Sequence, residues 1–140
     1  MLGHCLCSSI EFETDGPLTD ISLCHCSICR KVTGSAFAAY ASVAIEDLHW
    51  RRGEERLKKF TLNEQLSKYF CSRCGNTLMT FHSQVPGFYH LSLGNLSDDS
   101  NIAIEYHQYV DSKASWERID DGLTQYPGWP TDAKADGETN

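Results

Sequence analysis

Cys71-Ser72-Arg73-Cys74-Gly75 is the stretch of this sequence on which the reading of the fold turns. Two cysteines flanking two residues, with glycine next, make a tight turn that aims both sulfurs at one point. The glycine can take the positive φ needed where the chain reverses. Such a knuckle is half of a four-thiolate site, with each sulfur about 2.3 Å from a zinc ion. The other half must come from a distant part of the chain. Working outward, two more cysteine groups stand at Cys5-Leu6-Cys7 and at Cys24-His25-Cys26-Ser27-Ile28-Cys29. A Cys-x-Cys pair in an extended strand puts both side chains on one face, because strand side chains alternate. Spacing alone leaves open which pair joins the knuckle. We infer that Cys5 and Cys7 do, which would pin the N-terminal strand to the middle of the chain.

The central group reads differently. Three thiols within six residues can reach one ion unaided, leaving a fourth position for water, substrate or another side chain. Three protein ligands and an exchangeable position are the usual arrangement of catalytic zinc, whereas structural zinc is closed. The seven cysteines therefore divide into four and three, and two zinc ions per chain are expected. Arg73, and Arg30 with Lys31, are placed to offset thiolate charge. Seven inert core thiols would ignore this spacing. An iron–sulfur cluster would also take thiolates, but the ferredoxin spacings are missing. His25, between two ligands, is expected to point to the opposite face. His107, in a strand-like run, is a candidate base, ligand or orienting group for the open site. His4, His49, His82 and His90 read as ordinary surface or core histidines.

The rest of the chain bounds the function. At 140 residues it fits one domain, and 19 acidic against 12 basic residues give a net charge of -7. That balance argues against nucleic-acid binding, which draws on Lys and Arg neutralising phosphates. No apolar run is long enough for a membrane span, and no secretory signal is visible, so a reducing cytoplasm is expected. Short β-type runs recur around Ile10 and Phe12, then at 36–43, 66–70, 77–81, 88–93 and 102–110. They are punctuated by Asp15-Gly16-Pro17, Arg52-Gly53, Pro86-Gly87 and Gly94-Asn95. This spacing predicts a mainly β, mostly antiparallel domain. One short helix is expected over 27–33 with Ser27 as its cap, and another turn near 45–48. The segment 51–59, rich in both signs of charge, reads as a solvated surface. Residues 131–140 are expected to be a disordered tail.

Taken in order, the motifs carry a resemblance. They are Cys5-x-Cys7, Cys24-His25-Cys26-Ser27-x-Cys29-Arg30, Gly34-Ser35-Ala36 and Phe70-Cys71-x-x-Cys74-Gly75, then Leu93-Gly94-Asn95-Leu96, His107 to Trp116, Asp121-Gly122-Leu123 and Tyr126-Pro127. The chain resembles the glutathione-dependent formaldehyde-activating enzyme family, which includes the centromere protein V group, over nearly its whole length. The resemblance implies a single domain over 1–130, a β-tent of small antiparallel sheets crosslinked by zinc. It implies a structural zinc on Cys5, Cys7, Cys71 and Cys74, and a second zinc, linked to activity, on Cys24, Cys26 and Cys29. The founding activity joins formaldehyde to glutathione, and its reverse is a carbon–sulfur lyase reaction. A small thiol and an aldehyde are thus the expected partners, glutathione being a possible cosubstrate. An anionic thiol needs cationic anchors, for which Arg30, Lys31 and Lys113 are the candidates. Ser8 and Ser9 depart from the family's glycine after the first cysteine pair, and Ser115 from a proline before Trp116. The alternative function is a non-catalytic zinc module whose second metal orders a protein-binding surface.

Overall fold

A computed structural model describes residues 1–130 of the chain, so the tail expected at 131–140 lies outside the described residues. Within the expected 1–130 domain the chain groups into two compact units. The first comprises Met1–Asp20 and Tyr40–Ile102, and the second Ile21–Ala39 and, of the described residues, 103–130. The molecule is mainly β, as the punctuated short runs predict.

The first unit holds two antiparallel ladders. Strands β1 (Leu2–His4) and β2 (Glu11–Thr14) pair antiparallel, and β2 pairs again with β5 (Leu48–Arg52). Along β2 the side chains alternate, with Phe12 and Thr14 buried and Glu11 and Glu13 half-exposed. Phe12 meets Trp50 of β5 edge to face, while Arg51 donates to Glu13 at 2.6 Å and Arg52 lies 3.1 Å from Glu11. The second ladder runs from β4 (Ala38–Ala44, its Tyr40–Ala44 part in this unit) through β9 (Phe88–Ser92), β8 (Thr77–His82) and β7 (Leu66–Cys71) to β6 (Leu57–Thr61). Every pairing in it is antiparallel. Ile10, Phe12, Val43, Leu48, Leu78, Met79 and Leu91 form the core, and Cys5 and Cys71 lie fully buried among them.

The segment 51–59 is exposed along most of its length, as a solvated surface requires, and it carries the end of β5, a 3-10 turn over Glu54–Arg56 and the start of β6. Both readings share one physical cause. β6 is an edge strand, almost all of its side chains face water, and lysines on such an edge oppose further pairing.

The second unit is built on β3 (Thr19–Cys24, from Ile21 on), β10 (Tyr106–Gln108), β11 (Thr124–Gln125) and one helix, α1 (Ser27–Thr33). Its ladder is parallel: β10 lies between β3 and β11 and runs the same way as both. The run expected over 102–110 shrinks to three strand residues, because Tyr109 adopts φ 57 and starts a 3-10 turn over Val110–Ser112. The turn near 45–48 appears as the 3-10 turn Ile45–Asp47. The helix occupies the predicted residues, but its cap is Cys26 rather than Ser27. The Cys26 sulfur accepts from the Cys29 N–H at 3.3 Å, and Gly34 at φ 64 closes the other end. Buried apolar residues here are few and small: Ile21, Ala36, Ala38 and Ala114, with Cys24 and Cys29.

Candidate metal centres

In the first unit the chain turns sharply after β1. Ser8 N–H donates to Cys5 O at 2.8 Å and Ser8 itself takes φ 57. Cys5 and Cys7 therefore sit on a turn, not on one face of a strand as expected. The turn converges the sulfurs where a strand would leave them some 7 Å apart along its axis. The left-handed φ at Ser8 is a conformation that glycine would adopt without steric cost. Opposite lies the knuckle: Gly75, at φ 75, donates to Cys71 O at 2.8 Å, and the register of β7 on β8 shifts between Tyr69 and Phe70, just before it. The four sulfurs lie within 4.8 Å of one another. Cys5 and Cys7 sulfurs are 3.7 Å apart, and those of Cys7 and Cys71 3.9 Å. The edge of a tetrahedron with 2.3 Å zinc–sulfur arms is about 3.8 Å, so this set fits zinc.

Hydrogen bonds favour the anionic form of Cys7 and Cys71, whereas burial raises the Cys74 thiol. The Ser9 hydroxyl stands 3.0 Å from the Cys7 sulfur and 3.4 Å from that of Cys71, and Ile10 N–H donates to Cys5 at 3.3 Å. The Ser9 hydroxyl and amide lower the Cys7 pKa. At Cys71 burial raises it, but Ser9 and the N–H groups of Cys74 and Arg73 outweigh burial and bring it down to about 6.

In the second unit, Cys24 ends β3, Cys26 caps α1 and Cys29 lies one turn along the helix. Their sulfurs also lie within 4.8 Å of one another, and no other His, Cys, Asp or Glu joins them among the described residues. Cys24 and Cys29 are buried, while Cys26 is half-buried. Crowding sets their protons. Hydrogen bonds from Cys24 and Cys29 pull Cys26 down to about 2, and the same contact with Cys26 pushes Cys24 up to about 12. Cys29 is pushed up by its contacts with Cys24 and Cys26. One thiolate thus rests on two thiols, a soft all-sulfur donor set that suits zinc.

His25, wholly buried, points its ring at Phe37 (centroids 5.4 Å) and at His107. Its Nε2 lies 2.8 Å from His107 Nδ1, and His107 Nε2 lies 2.8 Å from Asp121 Oδ2. Burial, then the charges of His107, Lys113 and Arg30, pushes the His25 pKa down to about 4. Both ring nitrogens of His107 are thus engaged. Of the three proposed anchors, Arg30 and Lys31 lie in the last turn of α1, and Arg30 Nε is buried with no hydrogen-bond partner among the described residues. Lys113 donates to Glu117 O at 2.7 Å and to Ala114 O at 3.4 Å, which leaves its ammonium less free than expected. Sequence reasoning passed over Ser9 and Asp121 as site residues. Neither has a spacing signature, and the links to their partners exist only in three dimensions.

Fold and sites together define a cysteine-rich β protein with one four-sulfur and one three-sulfur cluster. Residues 1–112 match the model of the glutathione-dependent formaldehyde-activating enzyme family, and the chain belongs to that family. All seven cysteines fall inside the matched stretch, whereas Asp121 lies beyond it. A Halomonas elongata protein, named provisionally as a glutathione-dependent formaldehyde-activating enzyme, is 25% identical over 143 residues, which cover 96% of this chain and 91% of that protein. A crystal structure of a Rhodobacter sphaeroides protein shares the fold with a TM-score of 0.60 at 22% identity, covering 90% of this chain and 99% of that one.

Proposed function

We propose that this chain is a zinc-dependent enzyme of the carbon–sulfur lyase type, acting on adducts of a small thiol with an aldehyde, glutathione and formaldehyde first among them. The observation that carries the reading is the three-sulfur cluster with no fourth side-chain donor among the described residues. Zinc held there would supply a Lewis acid that favours the anionic form of a thiol or polarises a carbonyl oxygen. The chain's own residues do the rest. Cys24, Cys26 and Cys29 hold the centre, and the half-buried Cys26 leaves one side of it open to solvent. Arg30 and Lys31, adjacent in the last turn of α1, are the cations assigned to a substrate carboxylate. In the synthetic direction the thiol loses its proton, the sulfur–carbon bond forms and the carbonyl oxygen takes up a proton. The reverse breaks that bond. Seven free thiols suit a reducing cytosol as the setting.

Calorimetry of the zinc-loaded protein tests the reading. Glutathione is expected to bind, to bind more weakly as pH falls because the sulfur must be anionic, and to lose at least about tenfold in affinity in Cys26→Ser. S-methyl-glutathione, with the same carboxylates but no sulfhydryl, is expected not to bind. Equal binding of the two compounds would sink the mechanism, and binding of neither would favour the protein-interaction module.

A further inference from the structure

We propose that Asp121, His107 and His25 form a hydrogen-bonded strut that positions the Cys24 and Cys26 sulfurs of the three-cysteine centre. It rests on the metal-binding part of the function proposed above, not on the reaction.

The order of atoms fixes the order of protons. The Asp121 carboxylate accepts at 2.8 Å, so His107 carries a proton on Nε2. Between His107 Nδ1 and His25 Nε2, 2.8 Å apart, there is room for one hydrogen. If His107 held it, His25 would need its own proton on Nδ1, a buried atom with no partner among the described residues. A buried N–H without an acceptor is the rarer and costlier outcome. The hydrogen therefore sits on His25 Nε2, and each group donates toward the carboxylate.

The strut ends where it matters. His25 is the residue between two of the three sulfur donors, and it is held twice by adjacent residues of β10. Its backbone N–H donates to Gln108 O at 2.9 Å, and its ring donates to His107. Cys24 is itself in register with Gln108 on the same strand. With backbone and ring both fixed, the flanking Cα–Cβ bonds of Cys24 and Cys26 are held too, and three converging sulfurs need such a frame. His107 and Asp121 stand outside the three-sulfur cluster and reach it only through His25. They are positioning residues. Asp121, 43% exposed at the outer end, is the member most easily changed without disturbing a core.

The test uses the full chain loaded with zinc and follows release to a colorimetric chelator, with the spectrum of the cobalt-substituted protein as a second readout. Asp121→Ala and His107→Ala are expected to speed release of one zinc per chain by about tenfold, the usual scale for loss of a partner behind a metal ligand. They should also shift the cobalt–thiolate bands of that centre and leave the slower zinc unchanged. Asp121→Asn, which keeps an acceptor oxygen in place, is expected to stay close to the parent. Unchanged release in both alanine variants, equal acceleration of both zincs, or an asparagine variant as impaired as the alanine one would overturn the proposal. Neither readout involves a thiol or an aldehyde, so the outcome is independent of whether the reaction proposed above occurs.

Discussion

Cys26 has two tasks at the scale of the single residue, since the sulfur that accepts the Cys29 N–H to start α1 is also the anionic member of the three-cysteine centre. Its neighbours keep their protons: Cys24 is raised to about 12, and Cys29 is raised as well. Zinc taken up as three thiolates must then displace the protons of both. Metal and protons compete for the same sulfurs, so affinity falls as pH falls. With about two protons displaced, the affinity of this centre should change by roughly 100-fold per pH unit near neutrality. Chelator competition across that range checks the slope, and calorimetry in buffers of different ionisation heat counts the protons. A slope near zero would mean that the sulfurs are already ionised.

Elements show which parts of this fold the sequence could reveal. The knuckle announces itself because a metal half-site needs fixed local spacing, and strands β7, β8 and β9 do so by apolar runs between turn residues. Strand β6 hides, since an edge strand facing water obeys solubility and not core packing. The parallel pairing of β10 hides for another reason: Tyr106 to Gln108 meet Ser22 to Cys24 across more than eighty residues, and three-residue strands have too little pattern to declare a partner. In the site, ligands close in sequence were legible, whereas the His25–His107 contact at a separation of 82 was not. Gly53 belongs to this hidden class. At φ 76 it follows the last residue of β5, and a Cβ there would fall 1.9 Å from the carbonyl oxygen of Ser9, the serine whose hydroxyl serves Cys7 and Cys71. Gly75, at φ 75, has open space around the same position. Gly75→Ala should therefore cost only the left-handed strain, about 1–2 kcal/mol. Gly53→Ala should add an overpacking cost of about 1–3 kcal/mol to it. Urea unfolding of the two zinc-loaded variants gives the difference directly, and equal losses would mean that the Ser9 segment yields freely.

Across the whole molecule the two clusters tie the chain together over different ranges. The first joins Cys7 to Cys71, 64 residues apart, and places Cys5 and Cys71 inside a core of large side chains. The second joins residues within one short segment of a unit whose buried apolar residues are mostly alanines. Cys71→Ser is expected to unfold or aggregate the protein, because the energy of binding metal there is folding energy. Cys26→Ser should lose one zinc and loosen the second unit, while the first unit keeps its melting transition. Scanning calorimetry with zinc analysis checks both, and equal loss of thermal stability would contradict the division. The same difference in range matters while the chain is being made. The Cys24–Cys29 cluster is complete within six residues of synthesis, so it can capture metal on the ribosome. Cys7 must wait for Cys71, and at 5–20 residues per second those 64 residues take roughly 3–13 seconds. During that interval the first two cysteines are an open chelating pair, exposed to copper, to oxidants and to the neighbouring nascent chain.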